Sequence, residues 1–235
     1  MKGGVPIPER MRHRPVDRRG YPVPVIAAIK DGEPLFAVND MDITTRMIRQ
    51  DRCTICGGKL FRGRWLVGGG LSALGFNGKF ADAPAHGECT HYALQVCPYL
   101  AAPNWRTPIG KLQAAKANIE MAFDLADQID VADTNRPEAF VAIMASKIDI
   151  EMQGLGVVLC RPRIGHVQCA EVWRKGEQLS GDDLADFRER ARRHVEAVDT
   201  AIRPDIWALL GGENFRRGVG HQRKEKGHAS NFDCP

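Results

Sequence analysis

Cys53 and Cys56 stand two residues apart and are followed by Gly57-Gly58-Lys59. Two thiolates at that spacing can grip one metal ion, and a glycine just after the second lets the backbone turn tightly so that its N–H groups face the sulfurs. A CxxC pair alone would equally suit a redox motif. The deciding feature comes thirty residues later, where His86 and Cys89 are placed three apart. On the first turn of a helix that spacing puts an imidazole and a thiol on one face, where the helix N-terminus also favours a thiolate. Cys53, Cys56, His86 and Cys89 make a complete Cys3His set for Zn²⁺ with no position left for water. That is the chemistry of a structural ion that contributes folding energy. Two neighbours compete as ligands. Cys97 falls about 80° round the helix from Cys89, among Ala93, Val96 and Leu100, and reads as a buried apolar cysteine; it is the first replacement should His86 prove free. His91 faces away from the His86 and Cys89 side.

Other constellations are weaker. Cys160, His166 and Cys169 flank a short Pro162 and Gly165 turn, so they could meet on a hairpin as a second metal site or as a Cys–His nucleophile pair. Period-two geometry puts His166 and Cys169 on opposite faces, which favours two half-buried strand residues and a surface histidine. Gly70 and Gly75 have the glycine spacing of a phosphate loop, but Phe76-Asn77 stands where Lys-Ser/Thr must reach phosphate and Mg²⁺, so that motif fails. Arg188, Arg190, Arg192 and Arg193 are largely matched by Asp186 and Glu189 four residues earlier, the pattern of a solvated helix face.

The chain that must position these groups has 235 residues, 43% hydrophobic and 26% charged, an ordinary globular composition. Seven cysteines, an odd number behind an N-terminus without an apolar core, argue for a reducing compartment and a cytoplasmic protein. No apolar run approaches the roughly 18 residues of a membrane span, so no membrane partner is expected. The net charge of +4 is unevenly placed: residues 1–20 carry +4, residues 215–235 carry +3 and the body between them −3. Both ends are rich in Gly, Pro, His and Arg, the composition of solvated extensions. If they act, they act as electrostatic arms on nucleic-acid phosphate, through Arg10, Arg12, Arg14, Arg18 and Arg19 at one end and Arg216, Arg217, Arg223, Lys224 and Lys226 at the other. A protein partner is the other reading of such arms.

Asp31-Gly32 between Val23–Lys30 and Leu35–Asn39 predicts a tight β-hairpin, and Asp40 or Asp42 caps a helix to about Gln50 with Met41, Met47 and Ile48 inward. Lys59–Val67 reads as a strand leaving the cysteine knuckle, and Asn77-Gly78 joins Ser72–Phe76 to Lys79–Ala81 as a second hairpin before a helix that begins near Pro84. Pro108 to about Ile129 has apolar residues at helical spacing. Val157–Cys160 and His166–Trp173 read as strands, Ser180 and Asp183 open a helix carrying Leu184, Phe187 and Ala191, and a short helical turn with Ile206, Trp207 and Leu210 ends at Gly211-Gly212. Without regular βαβ alternation the fold class is α+β.

Knuckle, hairpin, then a helix whose first turn supplies the last two ligands resembles the treble-clef zinc fold over about Arg52–Leu100. The resemblance implies Cys53, Cys56, His86 and Cys89 as ligands of a structural Zn²⁺. Treble clefs also carry HNH-type nucleases, but these need a histidine on the hairpin, and Ser72–Ala81 has none. The stretches "IPERMR" from Ile7, "RGYPVP", "CTICGGKL", "RGRWLVGGGLSA" and "HGECTHYALQVCPYLAAPN" resemble a family of small uncharacterised bacterial and bacteriophage proteins over roughly the first 105 residues, which implies a metal-binding cytoplasmic protein. The expected organisation is a basic extension (1–20), a treble-clef-like zinc module (21–105), a second α+β module (106–214) and a basic tail (215–235). The expected function is a zinc-binding protein that contacts nucleic acid or a protein partner. The alternative is an enzyme or effector with its chemistry at Cys160, His166 and Cys169, or an HNH-like nuclease.

Overall fold

The computed structural model describes residues 4–61, 63–69, 73–75, 78–80, 83–101, 137–152, 158–197 and 202–211. The helix expected over 108–129, the tail 215–235 and the boundary drawn between 105 and 106 lie outside the described residues.

The fold is α+β, with antiparallel sheets. Strands β1 (Ala27–Lys30) and β2 (Glu33–Asn39) form the first hairpin, and Asp31 and Gly32 take φ of 52° and 80°, the left-handed pair that a two-residue turn requires. Helix α1 (Met41–Arg49) follows, and the Asp40 carboxylate accepts a 2.9 Å hydrogen bond from the Ile43 N–H, so Asp40 rather than Asp42 is the cap. Met47 is buried beneath α1, while Met41 and Ile48 pack against the main core.

The principal sheet has the order β3 (Arg64–Gly69), β4 (Phe140–Ala145), β7 (Val167–Arg174), β8 (Glu177–Gln178), and a separate ribbon pairs β5 (Ile148–Met152) with β6 (Val158–Pro162). The strands expected around Pro162 and Gly165 are present, but β6 and β7 do not pair with each other. Cys169 on β7 lies opposite Met144, and Cys160 on β6 lies opposite Ile150. Strands β5 and β6 are antiparallel partners, with Met152 opposite Val158. The Pro162–Gly165 segment is a kink in a longer ladder, bridged by Ser146 N–H to His166 O at 2.9 Å and Arg163 N–H to Lys147 O at 3.1 Å. The hairpin expected at Asn77-Gly78 is also redirected. Among its described residues, Gly78 N–H bonds Gly75 O at 2.8 Å across the turn, while Gly75 also pairs with Ile202 and Phe80 with Cys160, so the segment packs against the second half of the chain.

Both faces of the principal sheet are covered, because alternate residues point to opposite sides. Leu66, Val141, Ile143 and Val172 meet Leu74 and Phe80, together with Phe187 and Ala191 of helix α4 (Gly181–Ala197) and Ile206 and Trp207 of α5 (Pro204–Leu209). Trp65, Phe140, Ala142 and Trp173 on the other face meet Leu94 of α2 (Gly87–Val96) and Leu100 of α3 (Pro98–Ala101). Gly87 opens α2 against Trp65, where a Cβ would come within 2.8 Å of the indole Nε1; only glycine lets the helix approach this closely. Strand β3, assigned by sequence to the first module, thus lies in a sheet otherwise built from the second half, so the two halves are interleaved.

Candidate metal centre

The CxxC segment turns back on itself. Gly57 N–H bonds Cys53 O, Cys53 N–H bonds Gly58 O, each at 2.8 Å, and Gly57 takes φ +80° to complete the turn. Its amides point at sulfur: Cys56 N–H reaches Cys53 Sγ at 3.5 Å and Gly58 N–H reaches Cys56 Sγ at 3.4 Å. The other two donors arrive on α2. His86 is its N-cap residue and also donates its backbone N–H to Cys53 Sγ at 3.5 Å, while Cys89 lies in the first turn. Arg64–Leu66 reaches the helix through a bridge in which Trp65 and Ala85 exchange two 3.0 Å backbone hydrogen bonds, which fixes the distance between knuckle and helix.

The ligand atoms of Cys53, Cys56, His86 and Cys89 all lie within 4.8 Å of one another, and His86 Nδ1 is 3.3 Å from Cys56 Sγ. Tetrahedral donors about 2.0–2.3 Å from a zinc ion stand about 3.5–3.8 Å apart, so small inward shifts would close the set on one ion. Cys53 and Cys89 are 0% exposed and Cys56 is 2% exposed. On the far side of the His86 ring, Nε2 is 3.0 Å from Lys59 O, the outer-shell hydrogen bond that fixes a ligating histidine's tautomer as Nδ1 donor and Nε2–H.

The crowding has an electrostatic signature. Hydrogen bonds from Cys56 and then Cys89 push the Cys53 thiol far below its usual value, while Cys53, Cys56 and burial push Cys89 far up. Cys56 is raised by Cys53, and His86 is raised by its contact with Cys53. Three buried sulfurs this close cannot all ionise unless a cation sits among them, and a soft dication with tetrahedral preference suits three thiolates and one imidazole. The donor set, burial and amide-to-sulfur bonds therefore fit Zn²⁺. Among the described residues this is the one group of His, Cys, Asp and Glu whose donors converge. Cys97 ends α2 as its C-cap residue and is not in the group.

The N-terminal segment, expected as a solvated extension, is folded over this site from Gly4 onward. Met11 is 2% exposed in the cluster formed by Cys53, Cys56, Leu60, Cys89 and Tyr92, with Val5 and Ile7 packed beside it. His13 Nε2 lies 3.0 Å from Cys56 O, and Arg14 donates to Val23 O at 2.9 Å. Several of its cations have local partners. Arg10 pairs with Glu88, Arg12 with Glu9, and Arg19 with Asp17 at 2.6 Å, the Arg19 guanidinium also lying over Tyr21 and Phe36. Arg18 is exposed. Sequence composition hid this ordering because a single anchoring methionine and short proline-fixed turns leave no periodic signal. Arg216, Arg217, Arg223, Lys224 and Lys226 lie outside the described residues.

Cys160, His166 and Cys169 are not brought together. Cys160 sits in the core with Phe80 and Val158, Cys169 sits with Trp65, Leu94 and Trp173, and His166 Nδ1 lies 3.3 Å from Ser146 Oγ. A different group, unforeseen in the sequence, joins α2 to the sheet. The Glu171 carboxylate, 5% exposed, accepts from Trp173 Nε1 at 2.8 Å and lies 3.0 Å from His91 Nε2, and the His91 ring stacks on Trp173 and meets Trp65 edge-on. Alternation along β7 could have flagged Glu171 as an acid on an apolar face. Compared with known proteins, the chain matches no family model, no curated protein and no solved structure.

Proposed function

We propose that this chain is a binding protein built around one structural Zn²⁺ held by Cys53, Cys56, His86 and Cys89 in a treble-clef arrangement, and that its partner is nucleic acid, contacted through phosphate. The observation that carries the zinc reading is the convergence of four protein donors, three buried cysteines and a half-buried histidine, enough to fill a tetrahedral site. The order of parts supports the treble-clef reading: a glycine-closed knuckle, a paired strand at Trp65 and Ala85, then a helix whose N-cap and first turn present His86 and Cys89. A bound Zn²⁺ supplies folding energy and neutralises the thiolates. The protein's own residues do the rest: they hold Met11, the knuckle and α2 as one platform against the sheet.

For nucleic acid, the support is charge. The C-terminal cations Arg216, Arg217, Arg223, Lys224 and Lys226 face only Glu225 and Asp233 in sequence, and Arg18 is exposed on the N-terminal segment. The test is a salt titration of oligonucleotide binding by the zinc-loaded full chain. Affinity should fall log-linearly with salt as counterions are released. Binding that is absent, or insensitive to salt, contradicts the reading.

A further inference from the structure

Beside the knuckle stand four exposed cations that have no acidic partner among the described residues. Arg46 and Arg49 occupy the last turn of α1, three residues apart on one side. The chain then folds straight back, with Arg52 N–H bonded to Met47 O at 2.9 Å, and Arg52 pairs across the knuckle with Lys59. The polar ends of both side chains are held by backbone carbonyls: Arg52 Nη1 bonds Gly57 O and Lys59 Nζ bonds Gln50 O, each at 2.9 Å. Those bonds fix position without neutralising charge. Asp51 is taken by Arg64 at 2.9 Å, and Asp42, four residues before Arg46 on α1, makes no ion pair among the described residues.

An aromatic ring lies two residues on from Lys59. Burial alternates along Lys59, Leu60 and Phe61 as exposed, buried, exposed, so Lys59 and Phe61 project to the same side of an extended segment. Phe61 is 77% exposed, the most exposed of the described large apolar side chains. Phe61 belongs to no apolar cluster among the described residues. Beside a row of unneutralised cations it has the make-up of a single-strand binding surface, in which cations follow the phosphates and a flat ring stacks on an unpaired base. A duplex keeps its bases stacked on each other and offers no such face. The metal site connects directly to this surface, because the carbonyl of Lys59 is the partner of His86 Nε2.

We propose that Arg46, Arg49, Arg52, Lys59 and Phe61 form a binding surface for single-stranded nucleic acid, with Phe61 as the base-stacking platform. The proposal deepens the nucleic-acid reading above and rests on it.

The experiment uses the zinc-loaded full chain and a fluorescein-labelled oligothymidylate, with a mixed-sequence duplex of equal length and phosphatidylserine vesicles as competitors. Four variants are compared: Phe61→Ala, Phe61→Trp, the pair Arg49→Gln with Lys59→Gln, and a tail variant with Arg216, Arg217, Arg223, Lys224 and Lys226 all changed to Gln. Zinc content, equal to the native chain's, shows that each is folded. Phe61→Ala should bind about tenfold more weakly, Phe61→Trp should restore affinity, and the single strand should bind tighter than the duplex. The Arg49/Lys59 variant should also lower the salt slope by roughly 0.7 for each phosphate it no longer neutralises. Native affinity in both Phe61→Ala and the Arg49/Lys59 variant overturns the proposal; if the tail variant then loses binding, nucleic-acid contact stands and this surface falls. A native chain that binds no oligonucleotide overturns both readings. Displacement by vesicles or duplex more effective than by unlabelled oligothymidylate overturns the single-strand assignment.

Discussion

At the scale of single residues, the Cys3His cluster was legible because the spacing signal of a metal-binding set is local. A CxxC pair with glycine behind it and a His/Cys pair three apart each imply their geometry within one turn of chain, and the structure brings all four donors within 4.8 Å. What residue types could not disclose were partners distant in sequence, such as His13 on Cys56 O or Glu171 on His91. Two predictions belong here. Zinc occupancy should fall on acidification, because the metal must displace protons from His86 and from the thiols of Cys53, Cys56 and Cys89. A pH titration of bound zinc with a chromophoric chelator checks it, and occupancy unchanged from neutral pH to about pH 4, below the ordinary histidine range, would count against it. The second concerns Arg203, which is 0% exposed and forks onto Asp205 at 2.9 and 2.7 Å while its third donor reaches Pro162 O. Burial would push Asp205 up, but the Arg203 hydrogen bonds and charge outweigh it and hold the carboxylate below its usual value. A lowered folded-state value means that this contribution is present above the unfolded value of about 3.9 and is lost as pH falls through the folded one. Asp205→Asn strands the guanidinium and should cost about 3–5 kcal/mol at neutral pH by denaturant titration; it should also flatten the acid limb of stability.

At the scale of elements, the sequence read well wherever a signal was local and poorly wherever pairing was long-range. Asp31-Gly32, the Asp40 cap and the start of α2 at His86 are fixed by neighbours a few residues away. The strands β6 and β7 were also readable, but their partners were not. Pro162 and Gly165 carry the same turn chemistry whether the chain reverses or merely kinks, and the choice is made by the β4 and β5 edges. The same holds for Phe80, whose backbone finds Cys160 eighty residues away. The docking of α2 on the sheet yields a prediction at this scale. Glu171→Ala leaves the Trp173 indole N–H and the His91 ring without their buried acceptor and should destabilise the fold by about 1–3 kcal/mol. The loss should shift the denaturant midpoint and quench or redden Trp fluorescence; an unchanged midpoint would show that α2 is held by apolar contact alone.

For the whole molecule, the expected division into two consecutive modules gives way to interleaving. Strand β3, Leu74 and Phe80 belong by sequence to the first half and by contact to the core of the other. No helix among the described residues is long and apolar enough to cross a membrane. Interleaving makes the Cys3His cluster a keystone: Met11, the knuckle and α2 pack together around it, and α2 in turn covers one face of the sheet. Chelation should therefore lower the melting temperature of the entire described fold and expose the Gly4–Pro22 stretch to proteolysis first. With free zinc a thousandfold above its dissociation constant, the stabilisation is about 4 kcal/mol. Independent melting of the β4–β8 region at an unaltered temperature would contradict the keystone role.

The most direct test of the central claim is the zinc content of the purified full chain beside its Cys53→Ser and Cys160→Ser variants. One zinc per chain is expected in the native protein and in Cys160→Ser, with loss of zinc in Cys53→Ser. Equal loss in both variants, or full retention in Cys53→Ser, would contradict a zinc site at the knuckle.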